Sequence, residues 1–242
     1  VTDDTVYFTA GKSSYLDGGI RLYGLEPHTG RKTVDVIVST RDPDGSQRLD
    51  DQGVDGYLND ILSSDGQRIF LRHQAFDLAG NALAERLVHL HGADGFLSGD
   101  TTARLLWTYA PLFTSPHQGA FYDQRLSRML FPSGRILVEG DDAIYGYGQN
   151  HYDQPHAEPG GQWALFASDK RSGVPLDFSA VEYRKLALAG EDAVRFRWWT
   201  RLPIQVWAMV RTEDLLFVAG PVRNESVSPA AFAGSSDAML LV

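Results

Sequence analysis

Short apolar runs separated by turn residues dominate the chain. Val6–Ala10, Ile20–Leu25 and residues 33–38 partly alternate between apolar and polar side chains, which is typical of strands. Pro and Gly in residues 26–30 indicate a turn between the second and third runs, so this pair predicts a β-hairpin. No long amphipathic helix is visible. A single short helical turn is predicted near residues 177–183.

The same strand–turn–strand pattern recurs along the rest of the chain. Further strands are predicted within residues 61–72 on both sides of a Ser-Asp-Gly turn, and at 134–138, 143–147, 163–167, 206–210, 215–219 and 238–242, with turns at 76–81, 140–142 and 168–173. Turn signals roughly every ten residues indicate a sandwich, a barrel or a propeller. Repetition at a spacing of about 40–50 residues favours an all-β propeller of four-stranded antiparallel blades. We therefore expect residues 1–242 to form one domain, an incomplete ring of about 4–6 blades.

The two ends of the sequence carry apolar strand patterns. Val1 is not an initiator residue, Val6–Ala10 already reads as sheet, and residues 238–242 are apolar to the last position. Strands need neighbours for their backbone groups, so we interpret the chain as a fragment or processed product of a longer one. The alternative is that the terminal strands pair with each other and close the ring. In the first case, the partner is the remainder of the parent chain or another protein subunit.

Composition and charge exclude several classes of function. The chain has 242 residues, of which 43% are hydrophobic and 24 are Gly, as in a globular protein. Its net charge of −9 is spread along the chain, which makes nucleic acid an unfavourable partner. The absence of cysteine excludes disulfides, thiolate metal sites and cysteine nucleophiles. No apolar run is long enough to predict a membrane span.

Two segments of the chain share a short sequence motif. Residues 22–32 align with residues 165–175: each has two apolar residues, a small residue, an acid two places on, and Thr or Ser before Gly. The acid and hydroxyl of such a motif stabilise the turn through local hydrogen bonds, and the Gly takes a positive φ. This motif resembles the repeat of quinoprotein-like (pyrroloquinoline-quinone-type) β-propellers. With residues 13–19, 62–66, 70–73, 134–138 and 145–148, the chain as a whole resembles a bacterial branch of them. Val34 and Asp177 stand where that repeat has a Trp.

The resemblance implies a fold and leaves the activity open. Catalytic members of the family hold a quinone with calcium, an Asp base and a stacking Trp, often beside a vicinal disulfide. That disulfide is impossible here, and the calcium ligands map to no position of this chain. Trp198 and Trp199 have the chemistry to stack on a planar ring, but packing between blades explains this segment more simply. We therefore expect no bound redox cofactor.

Two functions follow as expectations. The first is a non-enzymatic scaffold or protein-interaction subunit of a larger extracytoplasmic assembly, with the periplasmic or extracellular location implied by the resemblance. The alternative is a quinoprotein-type oxidoreductase with calcium and pyrroloquinoline quinone. A carbohydrate-binding or hydrolytic propeller is a third class, and it requires a pair of carboxylates across a pocket.

Several residues are weaker candidates for metal binding. Asp42 and Asp44 lie in an acidic loop that offers oxygen ligands to calcium, although a solvated turn is the better interpretation. His151 and His156 offer imidazoles beside carboxylates, but their Pro- and Gly-containing surroundings indicate exposed loop histidines. His89, with His91 two residues on, is expected to make hydrogen bonds at a blade edge.

A long aromatic loop is the predicted contact surface. Residues 111–125 exceed what a blade turn needs, and they include Phe113, Phe121 and Tyr122. Aromatic residues are enriched at the cores of protein interfaces. We therefore expect these three side chains to contact a partner.

Overall fold

The computed structural model describes residues 1–50, 53–54, 56, 59–72, 74–85, 87–92, 107–110, 130–149, 163–170, 182, 185–186, 194–222, 235 and 237–242. Its named elements are all strands. The predicted helical turn at 177–183 lies almost entirely outside these residues. In the part of the chain that the structure describes, no helix has the length and apolarity to cross a membrane.

The strands form five antiparallel sheets and one small ribbon. Sheet one contains β1 (Val6–Ala10), β2 (Ile20–Leu25) and β3 (Lys32–Val38), and the ribbon contains β4 (Leu49–Asp50) and β5 (Gly53–Val54). Sheet two contains β6 (Ser63–Ser64), β7 (Arg68–Leu71), β8 (Gln74–Asp77) and β9 (Ala82–Leu83). Sheet three contains β10 (His89–Gly92), β11 (Trp107–Ala110) and β12 (Ser133–Gly134). Sheet four contains β13 (Ile136–Glu139), β14 (Ala143–Gln149), β15 (Trp163–Asp169) and β16 (Phe196–Thr200). Sheet five contains β17 (Ala208–Arg211), β18 (Leu216–Pro221) and β19 (Ala238–Leu241).

Each strand pairs with its neighbours in the chain, so the order across every sheet equals the order along the sequence. The all-β class and the antiparallel sheets are therefore confirmed. Sheets two and four have the expected four strands, whereas sheets one, three and five have three in the described residues. In sheet one the place of a fourth strand is taken by a turn closed by the Arg41–Gln47 bridge, followed by the separate β4–β5 ribbon.

The turn between β2 and β3 has the hydrogen bonds and the positive φ predicted for the repeated motif. The Thr29 hydroxyl donates to the Glu26 carboxylate at 2.5 Å, and the Gly30 amide donates to the Glu26 carbonyl at 2.9 Å. Gly30 has φ of +69°, a conformation that side chains disfavour. The second copy of the motif continues into residues 171–175, which lie outside the described residues.

One predicted turn begins later than expected. Phe76 and Asp77 belong to β8, where they pair with Ile69 and Arg68 of β7. The turn starts at Leu78, because the Asp77 carboxylate accepts the amide hydrogens of Ala79 and Asn81 at 3.0 and 2.8 Å and closes it from the strand end.

Sheets one and two share a hydrophobic core. Ile20, Leu22 and Val38 of sheet one pack with Leu71 and Phe76 of sheet two. Alternation along β2 and β3 places these apolar side chains on one face of sheet one. Val34 is also buried on this face. The face of sheet one that points away from sheet two is described below.

The later sheets also contact one another in the order in which they occur along the chain. Phe70 of sheet two stacks on His89 of sheet three, with ring centroids 4.1 Å apart. Tyr109 of sheet three donates to Glu139 of sheet four at 3.2 Å. A second hydrophobic cluster joins sheets four and five through Tyr147, Leu165, Ile204, Val206, Met209 and Val218.

Sheets one to five therefore contact one another in chain order, and no closed ring is shown. The two terminal strands belong to different sheets: β1 pairs with β2, and β19 pairs with β18. The alternative in which the terminal strands pair with each other is therefore wrong for this structure.

Candidate interaction surface

Most of the residues predicted to bind a partner or a metal lie outside the described residues. They are His151, His156, Phe113, Phe121 and Tyr122. The interface predicted for the loop at 111–125 remains a prediction for the same reason.

Asp42 and Asp44 use their carboxylates to build a turn. Asp42 pairs with the Arg48 guanidinium at 3.2 Å, and Asp44 accepts the Ser46 amide hydrogen at 2.8 Å. Hydrogen bonds from Ser46 lower the pKa of the Asp44 carboxyl. Across the described ranges, no group of three or more His, Cys, Asp or Glu side chains is arranged to hold a metal ion. The ion pair of Asp42 and the hydrogen bond of Asp44 are those of an ordinary turn.

Trp198 and Trp199 do not form one stacking platform. Consecutive residues of β16 point to opposite faces of sheet four, and the backbone of Trp198 and Trp199 pairs with Ala167 and Phe166 of β15. Trp198 is 42% exposed and Trp199 is 53% exposed. The expected burial of both rings between blades is therefore wrong, because β16 is the outermost strand of its sheet and has one strand neighbour, β15, in the described residues.

A buried polar cluster connects sheets two and three. The Asp60 and Arg72 side chains form an ion pair at 3.3 Å, and each is 2% exposed. Arg72 has φ of +53°, and its carbonyl contacts Nε2 of His89. Nδ1 of His89 lies 2.9 Å from the Leu87 carbonyl, as expected for a histidine that makes hydrogen bonds at a sheet edge. Since all three side chains are buried, the cluster fastens the two sheets and presents no surface to a ligand.

The His89 environment predicts a pH-dependent stability. Burial lowers the pKa of the His89 imidazole below its usual value. The unfolded chain then binds a proton more readily than the folded chain, so this contribution to stability is complete above about pH 6.5 and is lost as the pH falls. Chemical denaturation between about pH 7 and pH 5 should show a falling free energy of unfolding.

Two variants separate this effect from other titrations. His89→Gln should flatten the pH dependence in that window, whereas His28→Gln, at an exposed position, should leave it unchanged. The Asp35 and Asp142 carboxyls have lowered pKa values, mainly through hydrogen bonds from Lys32 and Arg197, so they lose their contribution only below about pH 4. An unchanged slope in His89→Gln would contradict the assignment.

A groove between sheets one and two has a volume of about 290 Å³. Its wall includes Val36 and Val38 of β3, Gln74 and Phe76 of β8, and Arg48. No carboxylate lines this groove, so it lacks the carboxylate pair that glycoside hydrolysis requires. The hydrolytic class gains no support from this groove.

Among the described residues, sheet five carries strongly exposed apolar side chains on one of its faces. Its one face packs against sheet four through Met209 and Val218. Register places the alternate residues on the other face, which we call the trailing face, and those of its side chains that are not buried are Ala208, Val210, Phe217, Ala219, Ala238 and Leu240. Val210 is 60% exposed and Leu240 is 64% exposed. All six are apolar, which is unusual for a sheet face that meets water.

Sheet one presents a second open face, which we call the leading face. Its apolar side chains are Val6, Phe8, Ala10, Tyr23, Leu25 and Ile37. Phe8 is 40% exposed, Ile37 is 51% exposed, and the Phe8 and Tyr23 rings lie 5.2 Å apart. The leading face also carries Asp35, which pairs with Arg21 at 2.9 Å and with Lys32 at 2.6 Å.

Sequence reasoning missed both faces, although the signal was present. Val206–Val210 and the residues around 215–219 read as continuous apolar runs, a pattern typical of strands covered on both sides. Only the register shows which half of each run is covered by sheet four. No protein-family model, curated protein or solved structure matches the chain. In its described residues, the molecule is an all-β succession of antiparallel sheets, with an open apolar face on sheet five and an open mixed face of apolar and charged side chains on sheet one.

Proposed function

We propose that this chain is a non-enzymatic, propeller-like scaffold that binds other polypeptide within a larger extracytoplasmic assembly. The single observation that carries the proposal is the apolar trailing face of sheet five. An apolar sheet face of this kind marks a protein contact, because apolar side chains in water favour burial.

The succession of the sheets supports the propeller part of the proposal. In a propeller, each blade covers the face of the preceding blade, and here sheets one to five contact one another in that order. An incomplete ring leaves one face open at each end, as the trailing and leading faces are. The extracytoplasmic location rests on the resemblance to quinoprotein-like propellers alone.

Substitution on the trailing face tests the interaction role. A tagged chain carrying both Val210→Asp and Leu240→Asp should lose the polypeptides that copurify with the unaltered chain from its native cells. Ile61→Asp, at a residue that is 52% exposed and lies on neither face, is the matched control and should keep them. Equal copurification by all three chains would overturn the proposal.

Cofactor binding tests the alternative of a quinoprotein-type oxidoreductase. We expect no stoichiometric quinone absorbance after anaerobic extraction of the purified chain, and none after addition of calcium and pyrroloquinoline quinone followed by desalting. The reason is that Trp198 and Trp199 point to opposite faces and that Asp42 and Asp44 are committed to a turn. A stoichiometric signal lost in Trp198→Ala or Trp199→Ala would establish the oxidoreductase instead.

A further inference from the structure

The first and the last contacts in the series of sheets follow one packing rule, which stops at the two ends of the series. Sheet one is covered by sheet two through Leu22 and Phe76, and sheet four is covered by sheet five through Leu165 and Val218. Each of these contacts joins an apolar face to the apolar face of the following sheet. The trailing face of sheet five and the leading face of sheet one are the two positions at which the rule is unfulfilled.

We propose that the trailing face of one copy binds the leading face of a second copy, head to tail. This inference deepens the proposed function, because it names the partner of the same surface. It continues the packing that already joins the sheets within the chain. The interface is heterologous, so its repetition gives a closed ring or an open filament, depending on the rotation between copies.

The chemistry of the two faces favours this pairing. The trailing face has no charged side chain, so it cannot compensate a buried charge on its partner. On the leading face Asp35 already has both Arg21 and Lys32 as partners, which leaves Phe8, Tyr23 and Ile37 to contact the second copy. Arg21 and Lys32, the cations of this charged triad with Asp35, are about half exposed, and their charged ends can stay in water at the rim of the interface.

Three other arrangements satisfy the faces less well. The two faces of one chain do not cover each other, since Ile37 is 51% exposed and Val210 is 60% exposed. A symmetric contact between two trailing faces would leave both leading faces in water. A symmetric contact between two leading faces would bring the charged triads of both copies together and leave both trailing faces in water.

Light scattering over a concentration series tests the proposal. The unaltered chain should form dimers or larger species, more readily at high salt because each copy carries a net charge of −9. Val210→Asp on the trailing face and Ile37→Asp on the leading face should each weaken association by about tenfold or more, because each buries an unpaired carboxylate. Ile61→Asp should associate like the unaltered chain.

Mixing the two variants distinguishes head-to-tail from symmetric contact. The Val210→Asp chain keeps its leading face and the Ile37→Asp chain keeps its trailing face, so an equimolar mixture should recover one interface and form a dimer. A monomeric unaltered chain at every concentration would overturn the proposal. So would a mixture that stays monomeric, or association that survives both substitutions.

Cysteine cross-linking tests the interface with substitutions that introduce no charge. The chain has no cysteine, so Val210→Cys and Phe8→Cys, in the first strands of sheets five and one, introduce unique thiols. Oxidation of a mixture of the two chains should give a mixed disulfide dimer, whereas Ile61→Cys with either chain should give only background. The absence of the mixed disulfide would count against the interface. Cross-linking does not depend on quinone binding or on copurifying proteins. The head-to-tail interface can therefore be contradicted while the scaffold function stands.

Discussion

Replacing Asp60 with alanine is expected to lower the free energy of unfolding by about 3–5 kcal/mol. The Asp60 and Arg72 side chains are each 2% exposed and lie 3.3 Å apart. Removing the carboxylate takes one negative charge away from a buried guanidinium, and the resulting desolvation cost exceeds the attraction that is lost. Urea denaturation followed by tryptophan fluorescence measures the change.

A more exposed ion pair next to β7 supplies the matched control. Asp65 and Arg68 are 3.2 Å apart, but their side chains are 36% and 34% exposed. Asp65→Ala should therefore cost clearly less than Asp60→Ala, although it also loses two turn hydrogen bonds. The double variant Asp60→Leu/Arg72→Met should recover much of the loss, because it removes both charges together. Equal losses for Asp60→Ala and Asp65→Ala would show that burial does not set the energy of this pair.

Replacing Gly220 with alanine is expected to cost about 3 kcal/mol or more, and to lower the yield of folded chain. A Cβ at this position would lie 1.8 Å from the carbonyl oxygen of Gln205 and 3.2 Å from the amide nitrogen of Trp207. Both atoms belong to backbone that is held beside β18 by the hydrogen bonds Gln205–Pro221 and Trp207–Ala219. The backbone must therefore shift, and those bonds with it.

Gly30→Ala separates this clash from the loss of glycine flexibility. Gly30 has φ of +69°, but a Cβ there would meet no atom within 4 Å. Its replacement should cost about 1 kcal/mol, from backbone strain alone. If Gly220→Ala unfolds at the same denaturant concentration as Gly30→Ala, the close approach to Gln205 is absent in solution.

The local features of the fold could be predicted from the sequence. Each hairpin is built from two neighbouring apolar runs and the turn between them, so residues close in sequence determine it. The turn of Glu26, Thr29 and Gly30 is the clearest case, since its hydrogen bonds were implied by the residue types. The register of β17 to β19 was not implied, because apolar runs of this kind are compatible with burial on either face.

Tertiary features of the candidate site escaped prediction for a physical reason. Whether a Trp is covered depends on which strand forms the edge of a sheet, and Trp198 and Trp199 are exposed because β16 has that position among the described strands. The Asp60–Arg72 pair joins residues in different segments, and neither residue type predicts burial. The exposed faces likewise result from where the series of sheets begins and ends.

The order of the strands has a consequence for synthesis of the chain. Because every strand pairs with a neighbour along the sequence, each hairpin can close as soon as its second strand has left the ribosome. Sheet one then waits for residues 62–76 before its apolar face is covered, and sheet four waits for residues 204–218. Nascent chains are therefore most exposed to aggregation between the completion of one sheet and the arrival of the next, and slow translation at those points would lengthen that interval.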